Sequence, residues 1–107
     1  MGLILKKVSP LAGIENQSLV SVVMASCNGE KYIAAQLDSI LQQTYFNIEV
    51  IISDDDSEDA TPHILSDYAR KDPRIKVFLN HERRGLNKNF EFAFSKASGE
   101  YIAVSDQ

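Results

Sequence analysis

One cysteine, Cys27, is all the chain holds, so an intramolecular disulfide framework and a cysteine-rich zinc site are both excluded. No stretch approaches the roughly 18 apolar residues of a membrane span. Residues 1–8 are too short for a secretory apolar segment followed by a small-residue cleavage site. Basic residues never gather beyond pairs, such as Lys6-Lys7 and Arg83-Arg84, and the net charge is −4. A nucleic acid, which favours a basic face, is therefore not the expected partner. No internal repeat, low-complexity run or linker interrupts the chain. The reading is a protein of the reducing cytoplasm, with the inner face of the membrane as the alternative if segments outside this chain anchor it.

At 107 residues the chain is one domain at most, and its 44% hydrophobic and 24% charged content is ordinary for a soluble globular fold. Residues 1–18, with Pro10, Gly13 and Asn16, read as a loosely packed N-terminal extension with a short helix near Leu11. Residues 19–107 read as the folded domain. Residues 19–25 are short, apolar and β-branched, as in a strand covered on both faces. Tyr32, Ile33, Leu37, Ile40 and Leu41 then share one helix face, with Asn28 as its cap. Residues 48–53 form a second buried strand. Thr61-Pro62 predicts a helix start, Thr61 as cap and Pro62 in the first turn, and the helix ends before Asp72-Pro73.

Residues 75–79 predict a third strand. Phe90, Ala93, Phe94 and Ala97 mark a third helix, with Gly99 as a left-handed C-terminal cap. Residues 101–105 are a fourth strand. Strict alternation of strand and helix predicts an α/β, Rossmann-like parallel sheet with helices on both faces. Ligands of such sheets bind beyond the carboxyl ends of the strands. That selects the loops at 26–30, 54–59, 80–87 and from Asp106 onward.

The chemistry concentrates where the second strand runs into acids: Val50-Ile51-Ile52-Ser53-Asp54-Asp55-Asp56-Ser57. Three adjacent carboxylates repel one another and do nothing for packing. They fit a site that wants negative charge or hydrogen-bond acceptors, for a metal, a sugar hydroxyl or a nucleobase N–H. The bland alternative is a solvated loop that also caps the helix at Thr61. Asp106 follows the last strand in the same way. His63, His81 and Cys27 have no partner at ligand or nucleophile spacing and read as surface or packing residues.

Five segments, in order and at the family's spacing, resemble the nucleotide-sugar-binding part of the family 2 glycosyltransferases, which have the GT-A fold. They are residues 20–33 (VSVVMASCNGEKYI), 36–44 (QLDSILQQT), 51–57 (IISDDDS), 85–90 (GLNKNF) and 98–107 (SGEYIAVSDQ). The resemblance covers residues 19–107. It implies that Asp55 accepts the ring N–H of a base, while Ala25 and Ser26 approach base and ribose. It implies that Lys88 faces the nucleotide and that Asp54 orders the loop beside it. Asp106 resembles the first acid of the family's Asp-x-Asp motif, facing the ribose or a bound Mg²⁺ or Mn²⁺. The chain departs from the pattern at Cys27, where an aromatic is common, and at Asp56, where Gly or Asn is common. It also stops at Gln107, inside the Asp-x-Asp motif.

The family's catalytic base lies further downstream, so no catalytic residue is expected within this chain. The implied reaction of the full-length enzyme is an inverting, metal-dependent transfer of a sugar from a nucleotide-diphosphate sugar. The implied acceptor is a carbohydrate or lipid-linked molecule of bacterial surface polysaccharide or glycolipid synthesis. Ser105-Asp106-Gln107 leans towards rhamnosyltransferase-like members. The chain alone is expected to be inactive and, lacking the acceptor half, to self-associate. A different class of reading is a non-catalytic nucleotide-binding or interaction module. Dinucleotide and P-loop sites are disfavoured, because neither Gly-x-Gly-x-x-Gly nor Gly-Lys-Ser/Thr occurs.

Overall fold

The structure, a computed structural model, describes residues 2–7 and 18–106. Five strands run β1 Gly2–Lys7, β2 Val20–Ser26, β3 Ile48–Asp55, β4 Ile75–Asn80 and β5 Tyr101–Asp106. Between them lie α1 Ile33–Leu41, α2 Thr61–Lys71 and α3 Leu86–Ser95. The strands form one sheet in the order β1-β5-β2-β3-β4. β5, β2, β3 and β4 are parallel.

β1 is antiparallel to β5, with Gly2 opposite Asp106 and Lys7 opposite Tyr101. The beginning of the presumed loose extension is thus an edge strand. Its backbone satisfies N–H and C=O groups that the outer edge of β5 would otherwise leave open. The helix expected near Leu11 lies outside the described residues.

Side chains of a strand alternate between the two faces of the sheet, and here both faces are covered. Val22, Met24, Val50 and Ile52 face one core with Ile33, Leu37 and Ile40 of α1 and Leu65 of α2. Val23 and Ile51 face the other, with Ala93 of α3 and the partly buried Phe78, Phe90 and Phe94. This two-sided burial is why the middles of β2, residues 22–24, and of β3, residues 50–52, are apolar throughout. Phe92 is only half-buried and packs edge-on against Phe78, ring centres 5.7 Å apart.

Several local expectations change. Asp54 and Asp55 belong to β3 rather than to the loop after it, because the ladder continues through Asp54–Leu79 and Asp55–Asn80. Asn28 does not cap α1, whose N-cap is Tyr32. It adopts the left-handed region (φ 51°), which Asn tolerates better than most residues. Thr61 is the first residue of α2, after an Ala60 N-cap. The capping acceptor is Asp59, whose Oδ1 accepts from the Thr61 N–H at 2.9 Å and its hydroxyl at 2.6 Å. Gly99 is not the left-handed cap of α3, which ends on Lys96 in the right-handed region. A Cβ at Gly99 would stand 2.6 Å from the Leu19 carbonyl oxygen, so close backbone approach is what requires glycine there.

At the amino-terminal edge of the sheet, Glu49 is buried. Its carboxylate accepts from the Ser21 hydroxyl at 2.5 Å, the Ser98 N–H at 2.7 Å, the Ser98 hydroxyl at 2.9 Å and Lys76 Nζ at 3.0 Å. These bonds tie β2, β3, β4 and the turn before β5 together at the end remote from the candidate site.

Candidate functional site

The carboxyl ends of β2 and β3 and the start of α3 enclose a cleft of about 280 Å³, lined by Ala25, Ser26, Cys27, Asp55, Arg83, Gly85, Leu86 and Asn89. Asp55 is its acidic group and is 3% exposed. It accepts from the N–H of Arg84 at 2.7 Å and of Gly85 at 3.0 Å. Burial works against its charge. The two N–H bonds, with the Asn80 amide and nearby Arg83, outweigh that and hold the carboxyl below its usual range. An ionised carboxylate is acceptor-only, and its two oxygens keep lone pairs beyond the two used by the loop. Asp55 therefore hangs the 81–85 loop on the end of β3 and still offers acceptors to the cleft. Gly85, at φ 90°, lets the chain turn from that loop into α3.

Asp54 does a different job. It accepts from the Ser26 hydroxyl at 2.7 Å, the Ser57 hydroxyl at 2.7 Å and the Ser57 N–H at 3.2 Å, and it is not among the cleft residues. These bonds join the end of β2 to the turn after β3. Ala25 and Ser26 do line the cleft. Lys88 stands exposed on the first turn of α3, outside the lining. Asp106 ends β5 at the same carboxyl edge of the sheet, with β2 between it and β3.

Sequence reasoning missed four contributors. Asn89 is buried, and its amide donates to the carbonyl oxygens of Ser53 at 2.9 Å and Ser26 at 3.4 Å while accepting from Asn80 at 3.0 Å. It thus pins α3 across the ends of β2 and β3. Its signal was an amide on the same helical face as Ala93. Asn80 links Asn89 to the Ser53 hydroxyl at 3.4 Å. Arg83 lines the cleft, where the sequence showed only a basic pair. Asp59, just before α2, latches two loops.

The latch is built from successive N–H groups. Asn28 N–H donates to the Ser57 hydroxyl at 2.8 Å, Gly29 N–H to Thr61 Oγ1 at 2.9 Å and Glu30 N–H to Asp59 at 3.2 Å. Asn28 returns the link by accepting from Glu58 N–H at 2.8 Å. Three consecutive amides that would form a phosphate cradle in a P-loop are thereby occupied by side chains. Cys27 lines the cleft and is exposed, its thiol donating to the Asp55 carbonyl oxygen at 3.4 Å. Burial of the thiol pushes its pKa up, against the pull of Arg83, so it is not primed as a nucleophile.

Among the described residues no group of three or more His, Cys, Asp or Glu stands together to hold a metal. No helix of the described residues is long and apolar enough to cross a membrane.

Comparison with known proteins places this geometry. Over 88 residues the chain is 40% identical to the UDP-Glc:alpha-D-GlcNAc-diphosphoundecaprenol beta-1,3-glucosyltransferase WfgD of Escherichia coli, covering 82% of this chain and 34% of that protein. It is 36% identical over 88 residues to the glycosyltransferase GlyG of Streptococcus pneumoniae, covering 82% and 29%. The mannosyltransferase PcManGT of Pyrobaculum calidifontis, solved in complex with GDP-Man and Mn²⁺, superposes with a TM-score of 0.71 at 30% identity, over 78% of this chain and 25% of that one. The chain thus spans between a quarter and about a third of the length of these proteins. Residues 21–107 match the family described as Glycosyl transferase family 2, and the chain belongs to that family.

Proposed function

We propose that residues 19–107 are the nucleotide-sugar-binding part of an enzyme that moves a sugar from a nucleotide-diphosphate sugar to an acceptor hydroxyl. The observation that carries this is Asp55. It is a buried, ionised, acceptor-only group at the carboxyl end of a parallel strand, facing a cleft and leaving lone pairs free. A ring N–H of a base satisfies such a group with a charge-assisted hydrogen bond. Ala25 and Ser26, small residues at the end of β2, let base and ribose approach the backbone. Asp54 acts at one remove by fixing the loop.

Asp106 is the residue for the ribose or for a divalent cation at the diphosphate. Mg²⁺ and Mn²⁺ prefer oxygen donors, and Mg²⁺ commonly takes one or two carboxylates together with substrate phosphates. A single acid at the edge of the sheet suits that arrangement, whereas a cage made wholly of protein would need a cluster that the described residues lack. When bound, the cation would neutralise the leaving diphosphate. In this reading a carboxylate beyond residue 107 deprotonates the acceptor, and direct displacement inverts the anomeric centre. The acceptor is a carbohydrate or lipid-linked intermediate of the bacterial envelope, met at the cytoplasmic face of the membrane. The printed activity of the E. coli relative, on a diphosphoundecaprenol-linked sugar, supports that class.

Calorimetric titration with UDP, dTDP and GDP, with and without Mn²⁺, tests the reading. Binding that disappears in Asp55→Ala is expected. Undiminished binding in Asp55→Ala, with the fold intact by circular dichroism, would contradict it.

A further inference from the structure

Of the basic side chains Arg83, Arg84, Lys88 and Lys96, on the loop before α3 and on α3 itself, three are engaged elsewhere or lie outside the cleft. The Arg84 guanidinium lies over the Phe92 ring at 4.5 Å, and Lys96 Nζ lies 5.2 Å from the same ring centre. Lys88 is exposed beyond the lining. Arg83 alone among them lines the cleft, beside Asp55 and Cys27. Among the described residues it makes no salt bridge. Among the described residues its one hydrogen bond runs from Nη2 to the Asp56 carbonyl oxygen at 3.3 Å. Asp56 sits at φ 54°, in the left-handed region. Guanidinium carries five N–H donors in a rigid plane, so four remain uncommitted.

We infer that Arg83 reads the base, donating to the carbonyl oxygen next to the ring N–H that Asp55 accepts. This rests on the nucleotide reading of the cleft. An acceptor-only carboxylate beside a donor-only guanidinium forms a complementary pair for an edge that presents N–H and C=O side by side. Uracil, thymine and guanine carry that edge. Cytosine and adenine present a bare ring nitrogen there, which would face the Asp55 carboxylate lone pair to lone pair. Rejection follows because the buried carboxylate would lose its partner, and a site built to hydrogen-bond rejects a ligand that cannot. The tether to the Asp56 carbonyl oxygen holds the guanidinium near its working place, so less side-chain freedom is lost on binding.

The test is titration of wild type, Arg83→Ala and Arg83→Lys with uridine, cytidine, UDP, CDP and inorganic pyrophosphate. Arg83→Ala is expected to weaken uridine and UDP by the same factor, about tenfold for a hydrogen bond to a charged group. Cytidine and pyrophosphate should change little, so the uridine-to-cytidine preference narrows by that factor. Arg83→Lys keeps the charge without the fork and should recover only part of the preference. An unchanged preference in Arg83→Ala would overturn the inference, as would a loss confined to phosphate-bearing ligands. Wild type binding none of the nucleosides or nucleotides would instead sink the nucleotide reading on which it rests.

Discussion

Glu49 and Asp55 stand near opposite ends of β3, and their hydrogen bonds separate structure from function. Glu49 is closed off by donors from Ser21, Ser98 and Lys76. Burial alone would raise its pKa, but those donors outweigh it and bring it from 4.5 down to about 2. A folded-state pKa below the unfolded value means stability that is fully present above pH 4.5 and is lost as pH falls towards about 2. Glu49→Gln should therefore lower Tm clearly at pH 7, with the gap from wild type shrinking as pH drops from 4.5 towards 2. A gap that stays constant with pH would show that the charge of Glu49 is not what matters. Among the described residues the Asp55 carboxylate is bonded by the Arg84 and Gly85 N–H groups of the 81–85 loop and by the Asn80 amide, and in the proposed reading that incompleteness leaves it to face the ligand.

At the scale of elements, the alternation of strands and helices was readable because each buried strand is apolar on both faces and each helix keeps its 3.6-residue stripe. The start of β1 as a strand was not readable, since pairing with β5 across some hundred residues leaves no local signature in a short apolar run. Asp55 was legible from an acid run at a strand end. Asn89, Arg83 and Asp59 were not, because their partners lie on other elements and loops, about 27 to 36 residues away for the bonds that matter. Asp59 gives the sharpest test at this scale. It holds the start of α2 through Thr61 and the β2–α1 loop through the Glu30 N–H. Asp59→Ala should speed amide hydrogen exchange at Glu30 and Thr61 while the β2 and β3 amides keep their protection. Unchanged exchange at Glu30 and Thr61 would mean the two loops hold together without the latch.

For the whole molecule, the matched part of the chain spans only a quarter to a third of its relatives' length, and it contains the cleft but leaves several large apolar side chains open. Tyr32, Phe46, Leu79 and Leu86 are 62%, 75%, 42% and 68% exposed. Such surface favours contact with another chain, so light scattering at rising concentration should show a mass above 11.9 kDa. A strictly monomeric mass at high concentration would contradict this. The sheet itself divides the labour. Its amino-terminal edge is sealed by the Glu49 network, and its carboxyl-terminal edge carries the open acceptors of Asp55, with Arg83 beside them.

That division is tested most directly by amide chemical-shift mapping of the labelled chain during titration with UDP. The account predicts shifts at Cys27, Asp55, Arg84 and Gly85, around the cleft, with Glu49, Ser98 and Gly99 unmoved. Shifts at the amino-terminal edge instead, or none anywhere at millimolar nucleotide, would contradict the claim that the Asp55 cleft is the nucleotide site.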